Sequence, residues 1–181
     1  MGERRKDALR VHFNRRLKLA FHGTKVTSDA GLLAYRDLAD ALRLTEMMES
    51  KLVDMRKGKN TRHGLIGLLR QSIYSRLGGY EDTNDAERLC VEPAMRQVVG
   101  GRAKEHRAAS TSQMGRFETE SLTQPKNLKV LISLPGQWVD QVLRRIPLAK
   151  LILDMDSSDS PAYGNQEGAL LRNGNVHSGN D

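Results

Sequence analysis

Apolar residues in this chain fall mostly at helical spacing. In "SDAGLLAYRDLADALRL" (28–44) they occupy positions 32, 33, 38, 41 and 42, with Ser28 or Asp29 placed to cap the N-terminus, and a helix is predicted. "TEMMESKLVD" (45–54) predicts a second, shorter one. In "TRHGLIGLLRQSIYSRLGG" (61–79), Leu65, Ile66, Leu69, Ile73 and Leu77 share one helical face, and Gly78-Gly79 stop the helix. Asn84 and Glu87 form a capping pattern for a further helix. Glu92-Pro93 begin another, ended by Gly100-Gly101. "AASTSQMGRFETESL" (108–122) places cap-forming Ser and Thr ahead of Arg116 and Phe117. "QPKNLKVLISLPGQWVDQVLRR" (124–145) is a long helical pattern interrupted at Pro135-Gly136.

Two stretches break the helical rule. Leu17, Leu19 and Phe21 alternate before His22-Gly23, which predicts a short hairpin turning there. "KLILDMD" (150–156) is short, apolar and without alternation, as a strand buried on both faces reads. The expected organisation is a basic arm and hairpin over 1–27, a helical region over 28–147, and a final segment from 148 to 181.

Charge sharpens that division. The chain has 181 residues and carries 29 Lys plus Arg against 22 Asp plus Glu, a net +7. Residues 1–149 hold 27 basic and 17 acidic residues, net +10; residues 150–181 hold 2 and 5, net −3. A basic body favours a polyanionic partner. Its clusters lie at 4–18, 55–62 and 102–107. Arg15 and Arg16 belong to the arm. Lys57, Lys59 and Arg62 belong to "MRKGKNTRHG", which has no acidic residue and reads as a loop. Arg116 is placed to touch DNA from a helix-turn-helix-like unit. Phe117 and Trp138 are expected in the core, Tyr80 against a helix end, and His63 and His106 exposed and neutral. Cys90 is the one cysteine, so no internal disulfide or CxxC site exists. No apolar run approaches a membrane span and "MGERRKDALR" has no apolar region behind it, so the cytoplasm is the expected compartment.

The remaining chemistry is in "LILDMDSSDSPAYGNQEG" (151–168). Four readings stand open on the residues alone. A calcium loop takes Asp154, Asp156 and Ser158 as positions 1, 3 and 5 but has Asp159 where glycine belongs and Asn165 where glutamate belongs. A haloacid-dehalogenase-like phosphatase takes Asp154 as nucleophile and Asp156 as acid/base, yet only 25 residues follow Asp156. A metal-dependent nuclease takes the aspartates as hard oxygen ligands at a strand end. A plain turn uses Asp156 or Asp159 as a helix cap.

The stretch "LILDMDSSDSPAYGNQEGA" closely resembles the first catalytic strand of bacterial insertion-sequence transposases of the DDE type, in the subgroup reading D-x-D…G-N-Q-E-G. Upstream, "VTSDAGLLAYRDL", "LLRQSIYSRLGGYEDTNDAERLCVEPAMRQVVGG" and "STSQMGRFE" resemble the same subgroup in the same order. The resemblance covers about residues 17 to 170. It implies an α+β chain: a helical DNA-binding region, then the start of a ribonuclease-H-like mixed α/β catalytic core. It implies Mg²⁺ (or Mn²⁺) held by two Asp and one Glu from distant parts of the chain, cleavage and transfer of DNA strands, and terminal inverted repeats and target DNA as partners, with a homodimer on DNA as an expected assembly. Asp156 is the implied first metal ligand, with Asp154 the second candidate and Asp159 the third. Gln166 and Glu167 match the signature without an assigned role. After "QEGAL" the chain reads "LRNGNVHSGND", unlike the family's continuation. The expectation is therefore a truncated, catalytically incomplete copy, with a non-catalytic DNA-binding or inhibitory fragment as the alternative.

Overall fold

The structure is a computed structural model and describes residues 9–19, 29–57, 61–145, 150 and 152. By its contacts the chain divides into two units, Met1–Pro147 and Leu148–Asp181. In the first, β1 (Leu9–Arg10) pairs antiparallel with β2 (Lys18–Leu19), and seven helices follow: α1 (Leu32–Ala41), α2 (Leu44–Lys51), α3 (Leu65–Leu77), α4 (Ala86–Leu89), α5 (Pro93–Val99), α6 (Thr111–Arg116) and α7 (Pro125–Arg145).

This corrects the α+β expectation. Among the described residues the chain is helical apart from that two-residue strand pair, and no start of a ribonuclease-H-like sheet is present. Ile152, inside the expected buried strand, lies in no strand and is 77% exposed. A strand forms only where neighbours take up its N–H and C=O groups, and the described chain offers no partner beyond the first pair. The hairpin also differs. Leu19 pairs backward with Leu9, so the turn occupies residues 11–17; His22-Gly23 lie outside the described residues.

The helix ends show where sequence signals hold. Gly79 takes φ +84°, Tyr80 N–H reaches Ser75 O (2.9 Å) and Gly79 N–H reaches Arg76 O (3.0 Å), which closes α3 as a Schellman motif. Glu92 caps α5 through Met95 N–H (2.5 Å) with Pro93 in the first turn. Gln113 Oε1 accepts from Ser110 N–H (3.0 Å) at the start of α6. Other caps move. Asp82, not Asn84, accepts from the Asn84 N–H (2.9 Å) and opens a 3₁₀ turn ahead of α4. Asp29 caps nothing with its side chain: it is buried and accepts from the Tyr80 hydroxyl (3.2 Å), which holds Tyr80 at the end of α3 as expected.

Two apolar clusters share α3 as a wall. Tyr74 packs with Val11, Leu32, Leu33, Leu89, Met95 and Val98. Leu65, Leu68 and Leu69 pack with Met48, Met114, Phe117 and Leu134. A helix buried on two sides does not present the single stripe read from its sequence. Ile73 and Leu77, expected inside, are 37% and 51% exposed, while Gln71 is fully buried. Gln71 faces Ala109, where the chain is not helical. Its Nε2 donates to Ala109 O (2.8 Å), and its Oε1 accepts from Ala109 N–H (2.8 Å). Asn127 repeats the device: Oδ1 accepts from Val53 N–H (2.8 Å), and Nδ2 donates to Val53 O and Ser121 O (both 2.9 Å). Each buried amide supplies the backbone partners that a loop crossing the core lacks.

Pro135 does not interrupt α7, which runs unbroken from Pro125 to Arg145. The lost N–H bond is offset by tertiary anchors. Leu134 is in the second cluster, and Trp138 Nε1 and Gln141 Nε2 donate to Leu42 O (3.1 and 2.9 Å). Arg145 Nη1 donates to Ala41 O (2.6 Å), so α7 caps the orphan carbonyls of α1. Pro135 is exposed, and Pro135→Ala is expected to stabilise the unit by about 1–2 kcal/mol, because a regained helix bond outweighs the added unfolded-state entropy. Chemical denaturation of both proteins measures this.

Candidate nucleic-acid interface

The loop from Val53 to His63 is fixed before it presents anything. Asn127 clamps Val53. Arg56 then folds back on Asp54 with two bonds (Nε to Oδ1 2.7 Å, Nη2 to Oδ2 2.6 Å) and donates to His63 O (3.0 Å). The side-chain bond from Arg56 outweighs burial and holds Asp54 below the usual carboxylate range. Arg56 is therefore a neutralised staple within the loop.

The staple places Arg62 and His63 opposite α6. Thr61, Arg62 and His63 line a cavity of about 270 Å³ with Leu68, Gln113, Arg116 and Phe117, closed further by Arg56, Glu120 and Ser121. Arg116, at the last residue of α6, is exposed and bonds to Ser112 O (3.3 Å). Neither Arg62 nor Arg116 forms an ion pair among the described residues. Phe117 is 1% exposed and floors the cavity as core rather than as a stacking platform, as expected.

His63 departs from its expectation. It is 8% exposed, and burial, reinforced by Arg102, Arg62 and Arg56, holds its imidazole below its ordinary value. The sequence hid this because "KNTRHG" gives no apolar context to His63; its burial comes from Phe117 and Leu68, which are distant or a helical turn away. His106 is exposed, as expected.

The other predicted DNA contacts are dispersed. Arg15 and Arg16 are exposed in the turn between β1 and β2 and do not line the cavity. That turn is held on α1 by Asp37, which accepts from His12 N–H (2.6 Å) and Phe13 N–H (3.1 Å), and by Asn14 Oδ1, which accepts from Arg16 N–H (3.2 Å). Lys57 is exposed on the stapled loop. Lys59, Asp154, Asp156, Asp159, Gln166 and Glu167 lie outside the described residues. No group of three or more His, Cys, Asp or Glu among the described residues could hold a metal ion, and no described helix is long and apolar enough to cross a membrane.

A further link joins α3 to the turn after α6. Glu118 accepts from Ser72 Oγ (2.8 Å) and from both Arg76 Nη atoms (2.9 and 3.1 Å). Burial raises this carboxyl, but the Arg76 and Ser72 bonds outweigh it and leave Glu118 below its usual range. The sequence gave no sign of this pair, whose members are 42 residues apart.

Compared with known proteins, the chain matches the family model of the transposase DDE domain, group 1, over residues 9–179. The match takes in Asp154 and Asp156 and continues past Leu171, where the sequence reading placed a departure. No curated protein and no solved structure matches the chain. A family match spanning nearly its whole length means that the chain belongs to the transposase DDE domain family, group 1.

Proposed function

We propose that the chain is a transposase of a bacterial insertion sequence whose helical unit binds the element's terminal inverted repeats as duplex DNA. Family membership supports the transposase reading. The observation that carries DNA binding is the pair Arg62 and Arg116, two guanidiniums without ion-pair partners among the described residues, beside one cavity. Cations of this kind neutralise backbone phosphates and release counterions. Arg15, Arg16, Lys57 and Lys59 extend the same electrostatic footprint. Two inverted repeats favour two copies of the chain, one per end, since half-site symmetry in DNA mirrors symmetry in the protein.

Asp156 and Asp154 are proposed as oxygen ligands for Mg²⁺ or Mn²⁺, hard cations that suit carboxylates. A divalent ion in such a site activates an attacking oxygen and stabilises the leaving one in phosphodiester chemistry. The cytoplasm is the proposed compartment, consistent with the free thiol of Cys90.

The test is a binding comparison between duplexes carrying the element's terminal sequences and scrambled duplexes of equal length. The terminal duplexes are expected to bind at least about tenfold tighter at moderate salt. Equal affinity for both would remove repeat recognition from the account.

A further inference from the structure

We propose that the cavity between the 56–63 loop and α6 is a subsite for one phosphate group, in which His63 takes up a proton as the anion enters. This rests on the DNA-binding reading above and adds the regulation of that site. The cavity, about 270 Å³, is several times the ~30 Å³ that one water occupies in the liquid, so a phosphate and a few waters fit. Gln113 and Ser121 offer polar groups on its wall, and Leu68 and Phe117 keep one side apolar.

The charges around His63 come from several elements. Arg56 is paired with Asp54. Arg62 precedes His63 in the chain, Arg116 projects from α6, and Arg102 adds its field from the turn after α5. Glu120 is the only carboxylate among the cavity's lining residues. In the free protein this surplus of positive charge makes a proton on His63 costly. A phosphate group beside Arg62 and Arg116 cancels that charge and leaves an anion facing the imidazole. The proton then becomes favourable, and by linkage binding tightens as pH falls.

Fluorescence anisotropy of a labelled duplex, titrated with the full chain at fixed ionic strength, tests this. Wild type is expected to bind about fivefold tighter near pH 6 than near pH 8, and His63→Gln to retain no more than about twofold, from exposed histidines such as His12 and His106. Duplex binding that is independent of pH, or equally pH-dependent in His63→Gln, overturns the proposal and leaves DNA binding standing. No duplex binding at either pH overturns both. Because His63 is buried, its ring resonances in the wild-type chain give a second test. Titration at higher pH in the presence of either inorganic phosphate or duplex supports the subsite. A shift with inorganic phosphate alone marks a free-anion site and overturns the DNA assignment, and no shift with either overturns the subsite itself.

Discussion

Gln71→Leu is expected to lower the unfolding free energy by about 2–5 kcal/mol, and the thermal midpoint by about 5–15 °C. Leucine matches glutamine in size, so the loss does not come from a cavity. It comes from Ala109, fully buried, whose N–H and C=O both lose their partner. An unpaired buried group costs about 1–3 kcal/mol, and two are created at once. Leu77→Gln, on the same helix at a position half exposed, is expected to change stability by no more than about 0.5 kcal/mol. A sequence reading of α3 predicts the reverse order, so calorimetry on the two variants separates the accounts. Asn127→Leu removes the partner of Val53 by the same mechanism and also releases the loop that carries Arg56 and His63.

Arg62→Ala/Arg116→Ala is expected to weaken duplex binding by about tenfold to a hundredfold at low salt, with the thermal midpoint nearly unchanged. Both side chains are exposed, and neither is tied to a carboxylate among the described residues. Their removal should therefore cost little in folding. Arg56→Ala should behave differently: its guanidinium is committed to Asp54 and His63 O, so its loss disturbs the loop first and binding only through the loop.

Helix positions were largely legible from sequence because helix signals are local. Apolar period, Gly79 and Pro93 each act within a few residues of themselves. What failed depended on distant partners. Pro135 was read as a break because the donors that anchor α7, at Trp138, Gln141 and Arg145, meet Ala41 and Leu42 only in the fold. The face of α3 was misread because it is packed on two sides. The α+β expectation came from the family resemblance and from one apolar run, and a run of that kind carries no information about whether partner strands are beside it.

The candidate site divides in the same way. Arg62 and Arg116 were each picked out by composition, but their meeting at one cavity, with His63 buried between arginines, is a tertiary fact. The carboxylate pair Asp154 and Asp156 remains a proposal drawn from the motif and the family.

The salt dependence of duplex binding tests the central claim most directly. If the helical unit holds DNA phosphates through the Arg62–Arg116 cavity, log K plotted against log salt should be steep and negative for wild type. The double alanine variant should be shallower by about 2, roughly one unit per lost phosphate contact. Identical slopes for the two proteins would contradict the claim, because the cavity arginines would then not be the groups that displace counterions.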